Sequence, residues 1–213
     1  MSFEKTVRNR SSDILSAHGI PMHPNLPLLQ PCSLRAAESV AQRIVATYAL
    51  AGLVNGADAG ALKDWLVEDQ AWNFLSKSEQ SFFDLKEYSE AQTNELSWHV
   101  DYIYALSWVG GLIQEIDWPT DPRGGDLTSI FPQIPSEVPV DGFLNTFSLR
   151  PSIEIAQQLD LYYCVHASWE HPELWEEDSN RSSLIIASIV TRREALEWCY
   201  NKKLSWSDIP LDT

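Results

Sequence analysis

Three residues in the middle of the chain have the types and the spacing of an acid–base unit. Glu95 and His99 are four residues apart, and Tyr102 follows three residues later. In a helix, Glu95 and His99 would share one face. A carboxylate that orients an imidazole can make it a general base, and burial would change the pKa of both groups. The spacing fits a catalytic site, and the alternative is a satisfied polar pair beside a helical core.

A second group of potential ligands lies farther along the chain. Cys164, His166 and His171 are close together, with Asp160 nearby, and these residue types can bind zinc. Cys164 and His166 are two residues apart, so they would point to different faces of a helix. No second ligand pair stands at a zinc spacing. The chain also has no nucleophile elbow and no phosphate-binding glycine loop. We therefore predict no metal site and no cofactor.

Carboxylates alternate with large apolar side chains over residues 169–178, which we call the acidic–aromatic segment. Acidic groups around exposed aromatic side chains would form a surface for a basic protein, with anchors in the centre and electrostatic steering at the rim. The alternative is a solvated loop whose tryptophans fold inward. The candidate binding residues are Trp169, Glu173, Trp175, Glu176 and Glu177.

The charge of the chain excludes several classes of partner. Its 213 residues contain 15 Lys and Arg against 30 Asp and Glu, which gives a net charge of −15. A nucleic-acid partner would need a basic face, and an anionic membrane surface would repel this chain. No apolar run approaches the ~20 residues of a membrane span.

Three dispersed cysteines without a CxxC pair indicate reduced thiols, so we predict a cytoplasmic protein. The sequence leaves the oligomeric state open.

The positioning elements are predicted to be helices, because apolar residues recur at helical spacing and no strand is supported. The strongest prediction is a helix over residues 90–117, which is apolar on nearly every side and should be buried. We assign Gly110 and Gly111 to close helix packing within it. The expected fold is mainly α, with about seven or eight helices around this central helix. Further helices are predicted over 3–18, from Ser33 to Gly56, after Asp58, after a Ser76–Glu79 capping box, from Pro151 to Ser168, and over 184–203.

The domain organisation is predicted to be simple. Residues 1–213 are expected to form a single globular helical domain. Prolines and glycines are concentrated in residues 119–142, which we interpret as an internal linker. It would separate a larger N-terminal helical part from a smaller C-terminal one.

An ordered set of short segments runs through most of the chain. The segments are Arg10–Leu15, Gly19–Pro21, Asn25–Pro27, Leu75–Glu79, Ser97–Trp98, Ala105–Trp108, Leu149–Arg150, Glu154–Ile155, Leu159–Asp160, Arg192–Trp198 and Trp206–Thr213. Together they resemble domain-of-unknown-function family 4272. The resemblance implies a mostly helical, bacterial-type cytoplasmic domain and brings no agreed activity. The chain departs from the family pattern at His99 and Asp101, where the family tends to have arginine and glutamate, and at Ala167, where it tends to have tryptophan after the histidine.

Two classes of function stay open at this point. The first is a non-catalytic, acidic interaction protein, in its most concrete form an immunity-like protein that neutralises a basic toxin. The second is an enzyme with an acid–base site in a helical bundle at Glu95, His99 and Tyr102.

Overall fold

The fold is that of a computed structural model, which describes residues 2–116, 118, 139–176 and 185–211. Within these residues the regular structure is helical, and the only β-type pairing described is an isolated bridge between Ser205 and Asp208. The predicted mainly α fold is therefore confirmed. The helices are α1 (Phe3–Ala17), α2 (Ala37–Val54), α3 (Ala59–Glu68), α4 (Lys77–Phe82), α5 (Glu90–Ser97), α6 (His99–Val109), α7 (Val140–Thr146), α8 (Ser152–Glu170) and α9 (Ile186–Tyr200), with 3₁₀ turns at Trp72–Phe74 and Pro172–Leu174.

Backbone contacts divide the chain into two compact units. One unit combines α1 and the chain up to Arg35 with α8, α9 and the C-terminal segment. The other contains α2 to α7. The first unit thus takes its helices from both ends of the sequence, and the second takes them from the middle. The single domain that the sequence suggests stays a prediction.

In the first unit, α8 packs against both α1 and α9. The apolar side chains at these contacts are fully buried, which removes their surface from water and stabilises the unit. Polar contacts add to the same packing, because Asp160 of α8 accepts hydrogen bonds from Arg8 and Ser11 of α1. The fully buried apolar residues include Val7, Ile155, Leu159, Ile189 and Leu196.

In the second unit, α2 is the element that contacts most of the others. It packs against α3, α5, α6, α7 and the 3₁₀ turn at Trp72–Phe74. Its sequence is apolar on most sides, which is typical of a helix in the middle of a bundle. The core of this unit includes Leu50, Leu62, Leu66, Leu96 and Val140.

The helix predicted over 90–117 is two helices in the structure. α5 ends at Ser97, α6 begins at His99, and the intervening Trp98 forms a turn. α6 ends at Val109 because Gly111 takes a left-handed backbone conformation with φ of 69°. The Leu112 N–H then donates to the Ser107 carbonyl at 2.9 Å, which is the Schellman arrangement of a helix end. The placement of both glycines inside a helix was wrong, because Gly110 is the C-cap residue of α6 and Gly111 follows it.

The predictions for the starts of the other helices were partly correct. The Asp58 carboxylate accepts from the Ala61 N–H, and the capping box of Ser76 and Glu79 is complete, so both predictions are confirmed. The predicted helix start at Ser33 was wrong, because α2 begins at Ala37, after the N-cap residue Ala36. The backbone of Ser33 is used elsewhere, since its carbonyl accepts from the Lys202 N–H.

Two further expectations concern the linker and membranes. Most of the predicted linker, residues 119–138, lies outside the described residues, and α7 begins at Val140 within the predicted 119–142 stretch. Among the helices described, none has both the length and the apolar character that a bilayer crossing requires.

Candidate functional site

The structure gives the three acid–base candidates different environments. Glu95 lies near the end of α5 with its side chain exposed, whereas His99 begins α6 and is buried. The His99 ring bonds to the backbone carbonyl of Glu95, with 3.3 Å between Nδ1 and the oxygen. A carbonyl oxygen accepts, so Nδ1 carries the proton in the neutral ring and Nε2 has the lone pair. The half-buried Tyr102 ring meets the imidazole edge to face, with centroids 5.6 Å apart.

The environment of His99 sets its protonation state. Burial disfavours the imidazolium form, and the nearby Arg43 guanidinium adds repulsion, so together they lower the pKa of His99 to about 4 against a partial opposing effect of Glu79. His99 is therefore neutral at pH 7. A base with so low a pKa is weak at neutral pH, because general bases work best near the operating pH. The acid–base function of Glu95, His99 and Tyr102 stays a prediction.

Next to His99 lies an ion pair that the sequence analysis missed. Arg43 of α2 donates to both carboxylate oxygens of Glu79 in α4, at 2.7 Å and 3.2 Å. Burial opposes the ionisation of Glu79, but Arg43 and the Ser76 N–H outweigh it and hold the pKa of Glu79 below its ordinary value. The sequence did contain a sign of this buried arginine. Arg43 lies three residues after Val40 and four before Thr47, on the stripe that the helical spacing predicts to be buried.

The candidate metal ligands of α8 are engaged with protein groups instead. The Cys164 thiol lies 3.8 Å from the Asp160 carboxylate, His166 Nδ1 is 2.8 Å from Arg193, and His171 Nδ1 is 2.9 Å from Glu173. Burial raises the pKa of Cys164 to about 12, with a further contribution from Asp160, so this thiol is protonated at pH 7. Across the described ranges, no three His, Cys, Asp or Glu side chains are grouped closely enough to hold a metal ion.

The acidic–aromatic segment continues from the last turn of α8 into the 3₁₀ turn at Pro172–Leu174. Trp169 and Trp175 are half-buried, and Glu173 and Glu176 are exposed. The indole N–H of Trp175 donates to the Ser168 carbonyl at 2.8 Å, which ties the segment to the helix end. Both tryptophans and two of the candidate carboxylates are thus at least partly accessible within residues 169–176, while Glu177 lies outside the described residues.

Electrostatics concentrate negative charge at this helix end. The C-terminal end of an α-helix carries a partial negative charge, and cations are the groups that stabilise it. The last turn of α8 contains no basic residue and includes the exposed Glu170. Hydrogen bonds from the Glu173 backbone and from His171 lower the pKa of Glu173, so its carboxylate is ionised at neutral pH. The arrangement suits contact with a cation.

Comparison with curated proteins and with solved structures found no match to this chain. The profile of one family, described as "Domain of unknown function (DUF4272)", matches residues 7–209 of the 213. The match covers α2 to α9 completely and most of α1, so we conclude that this chain is a member of the DUF4272 family.

Proposed function

We propose that this protein is a non-catalytic interaction protein that binds a basic protein through the acidic–aromatic segment. The observation that carries the proposal is the combination of two half-buried tryptophans with exposed carboxylates at the C-terminal end of α8. Half-buried aromatic side chains that the fold already holds can enter an interface with little further loss of conformational freedom.

The charge distribution supports a basic partner rather than a neutral one. Glu170, Glu173 and Glu176 are exposed in the same stretch, in a chain whose net charge is −15. Their mutual repulsion and the helix dipole both raise the free energy of the unbound state, and a cationic partner would relieve both. Lysine or arginine could also lie over the face of Trp169 or Trp175 in a cation–π contact.

In its most concrete form, the protein is immunity-like and neutralises a basic toxin in the bacterial cytoplasm. Such a role needs electrostatic complementarity and fast association rather than catalysis, and charge steering raises association rates. The proposal gives the partner a basic surface with a shallow apolar recess for a tryptophan. It includes no nucleic acid and no membrane as partner.

The test compares two charge reversals that change the net charge equally. The first variant is Glu173→Lys with Glu176→Lys in the acidic–aromatic segment. The second is Asp64→Lys with Glu68→Lys, which reverses two exposed carboxylates on α3. Binding of a fluorescently labelled peptide containing arginine, lysine and leucine would be measured by anisotropy at low and at high salt.

We expect the first variant to weaken binding by about tenfold and the second to change it by about twofold, because local rather than net charge directs the contact. Trp175→Ala should weaken binding also at high salt, because salt screens the charge–charge attraction but does not remove the contribution of the aromatic side chain. Equal losses in the two reversal variants would show binding by net charge alone and would overturn the assignment of the site.

A further inference from the structure

A buried contact between α8 and α9 has an unusual donor and acceptor. The Arg193 guanidinium nitrogen Nη1 lies 2.8 Å from Nδ1 of His166, and both residues are buried. Arginine has donors and no acceptor, and it stays protonated at all ordinary pH values. The hydrogen bond therefore requires a neutral His166 with a lone pair on Nδ1 and its proton on Nε2.

The charged and titratable groups around His166 lie on α8 and α9. On α8, the Glu170 carboxylate lies 3.9 Å from His166 Nε2. On α9, Arg193 contacts the histidine and is itself 3.6 Å from Glu197. The Arg193 guanidinium also lies over the Tyr163 ring, 4.8 Å from its centroid. On α1, which packs against α8, the Arg8 guanidinium is paired with Asp160.

These surroundings favour the neutral imidazole. Burial and the charge of Arg193 lower the pKa of His166, and Glu170 opposes them only in part. Protonation would place a second cation against the guanidinium and would remove the lone pair that accepts its hydrogen bond. The two side chains would then have to separate, with Glu170 available as the new partner of the imidazolium.

Arg193 also contacts the C-terminal segment of the chain, which comprises residues 201–211. Arg193 Nη1 donates to the Leu211 carbonyl at 3.5 Å, so one nitrogen serves both His166 and the segment. Elsewhere the segment is attached by Trp206, whose ring meets Trp198 edge-on at 5.1 Å, and by Arg35, which donates to the Leu204 carbonyl at 2.5 Å. The position of Arg193 therefore affects the far end of the segment most directly.

We propose that the contact between His166 and Arg193 is an acid-sensitive latch, in which protonation of His166 displaces Arg193 and weakens the attachment of residues 201–211. This inference does not depend on the proposed binding function. It predicts a folded state at mildly acidic pH in which α8 and α9 persist while the end of the segment detaches.

The experiment measures amide hydrogen exchange of peptides from residues 204–211 at pH 7 and pH 5, after correction for the intrinsic pH dependence of exchange. In the unmodified protein, we expect protection to fall by about tenfold at pH 5. His166→Asn places an amide oxygen near the position of Nδ1, which accepts from Arg193 but does not protonate. Its protection should stay nearly constant.

His99→Asn serves as the matched control, because it removes a buried histidine of the other unit and should leave the acid response of the segment unchanged. A second measurement covers the case in which His166→Asn does not fold. NMR of the histidine nitrogens in the unmodified protein should show a neutral Nδ1 without a proton at pH 7, and protection should fall as this nitrogen protonates. Constant protection through that titration, or an equal acid response in His166→Asn, would overturn the proposal.

Discussion

Arg43 and Glu79 show why single residues control the stability of the unit formed by α2 to α7. Their side chains are only 6% and 12% exposed, and they make two hydrogen bonds to each other. A buried pair adds little net stability compared with an apolar pair, but removing one partner leaves an uncompensated buried charge. Glu79 also closes the capping box at the start of α4, so it contributes in two ways.

Two substitutions of Glu79 separate these contributions. Glu79→Ala removes the counter-charge and the cap, and we expect it to lower the free energy of unfolding by about 3–5 kcal/mol. Glu79→Gln should lower it less, because glutamine can also close a capping box and still accept from Arg43. Urea unfolding followed by circular dichroism measures both, with the exposed Glu87→Ala as control. A loss below about 1 kcal/mol in Glu79→Ala would contradict the role of the pair.

The second prediction at this scale concerns His99 and pH. Its pKa is about 4 in the folded protein and 6.5 in a model peptide. Below pH 6.5 the unfolded chain binds a proton that the folded protein does not, so the free energy of unfolding falls as the pH falls from 6.5 to 4. From pH 7 to pH 4.5, this residue should account for a loss of about 2–3 kcal/mol.

His99→Asn isolates this contribution from those of other titrating groups. Asparagine can donate to the carbonyl four residues earlier, as Asn55 does to Ala51 at 2.8 Å, so the local hydrogen bond is retained. The variant should lose about 2–3 kcal/mol less than the unmodified protein between pH 7 and pH 4.5. Parallel pH profiles of the free energy of unfolding in the two proteins would show that His99 does not couple protonation to folding.

At the scale of helices, the sequence predicted which elements exist better than where they end. Helical spacing identified α1, α8 and α9 nearly to their bounds, because each has apolar residues at the required period. The end of α6 was missed because Leu112, Ile113 and Ile116 continue the same period beyond it. In the structure, the left-handed backbone at Gly111 overrides that pattern.

Gly110 is the C-cap residue of α6, and only the three-dimensional packing reveals why this position is a glycine. A Cβ atom at this position would lie 2.1 Å from the Phe147 ring, which follows α7. Glycine-to-alanine changes in helices usually stabilise a protein, because they restrict the unfolded chain. Here the added methyl group would have to displace a buried aromatic ring.

We therefore expect Gly110→Ala to destabilise the protein by about 1–3 kcal/mol through overpacking. The double variant Gly110→Ala/Phe147→Ala should recover part of the combined loss, because the smaller side chain no longer meets the new methyl group. Thermal and urea unfolding of the two single variants and the double variant give the coupling energy. Simple additivity of the two changes would show that Gly110 and Phe147 do not constrain each other.

For the whole molecule, helical spacing predicted a mainly α chain and composition gave a net charge of −15, but the assembly of the helices needed the structure. The contacts of Asp160 with Arg8 and Ser11 join residues from opposite ends of the chain, and nothing in the local sequence identifies such partners. The same holds for Arg193 and His166. The sequence therefore shows which residues have suitable side chains for a site. It does not show their protonation states, because these depend on neighbours that are distant in sequence.

The order of the segments gives a test of the domain organisation. The core of the unit formed by α2 to α7 contains residues such as Leu50, Leu96 and Val140, which all lie within residues 36–149. This fragment is one continuous stretch of chain, in which only residues 117–122 are assigned to the other unit. The unit of α1, α8 and α9 instead requires segments from both ends and a larger loss of loop entropy on folding. We expect the fragment 36–149 to be helical by circular dichroism.

The fragment should also unfold cooperatively in urea, because a unit with its own core can fold alone. Glu79→Ala within the fragment is the matched control, since it should lower the urea midpoint as it does in the full chain. A fragment that is helical but lacks a cooperative transition, or one that stays unfolded, would contradict an independent unit. That result would instead favour the single domain over residues 1–213, in which the core of α2 to α7 forms only together with α1, α8 and α9.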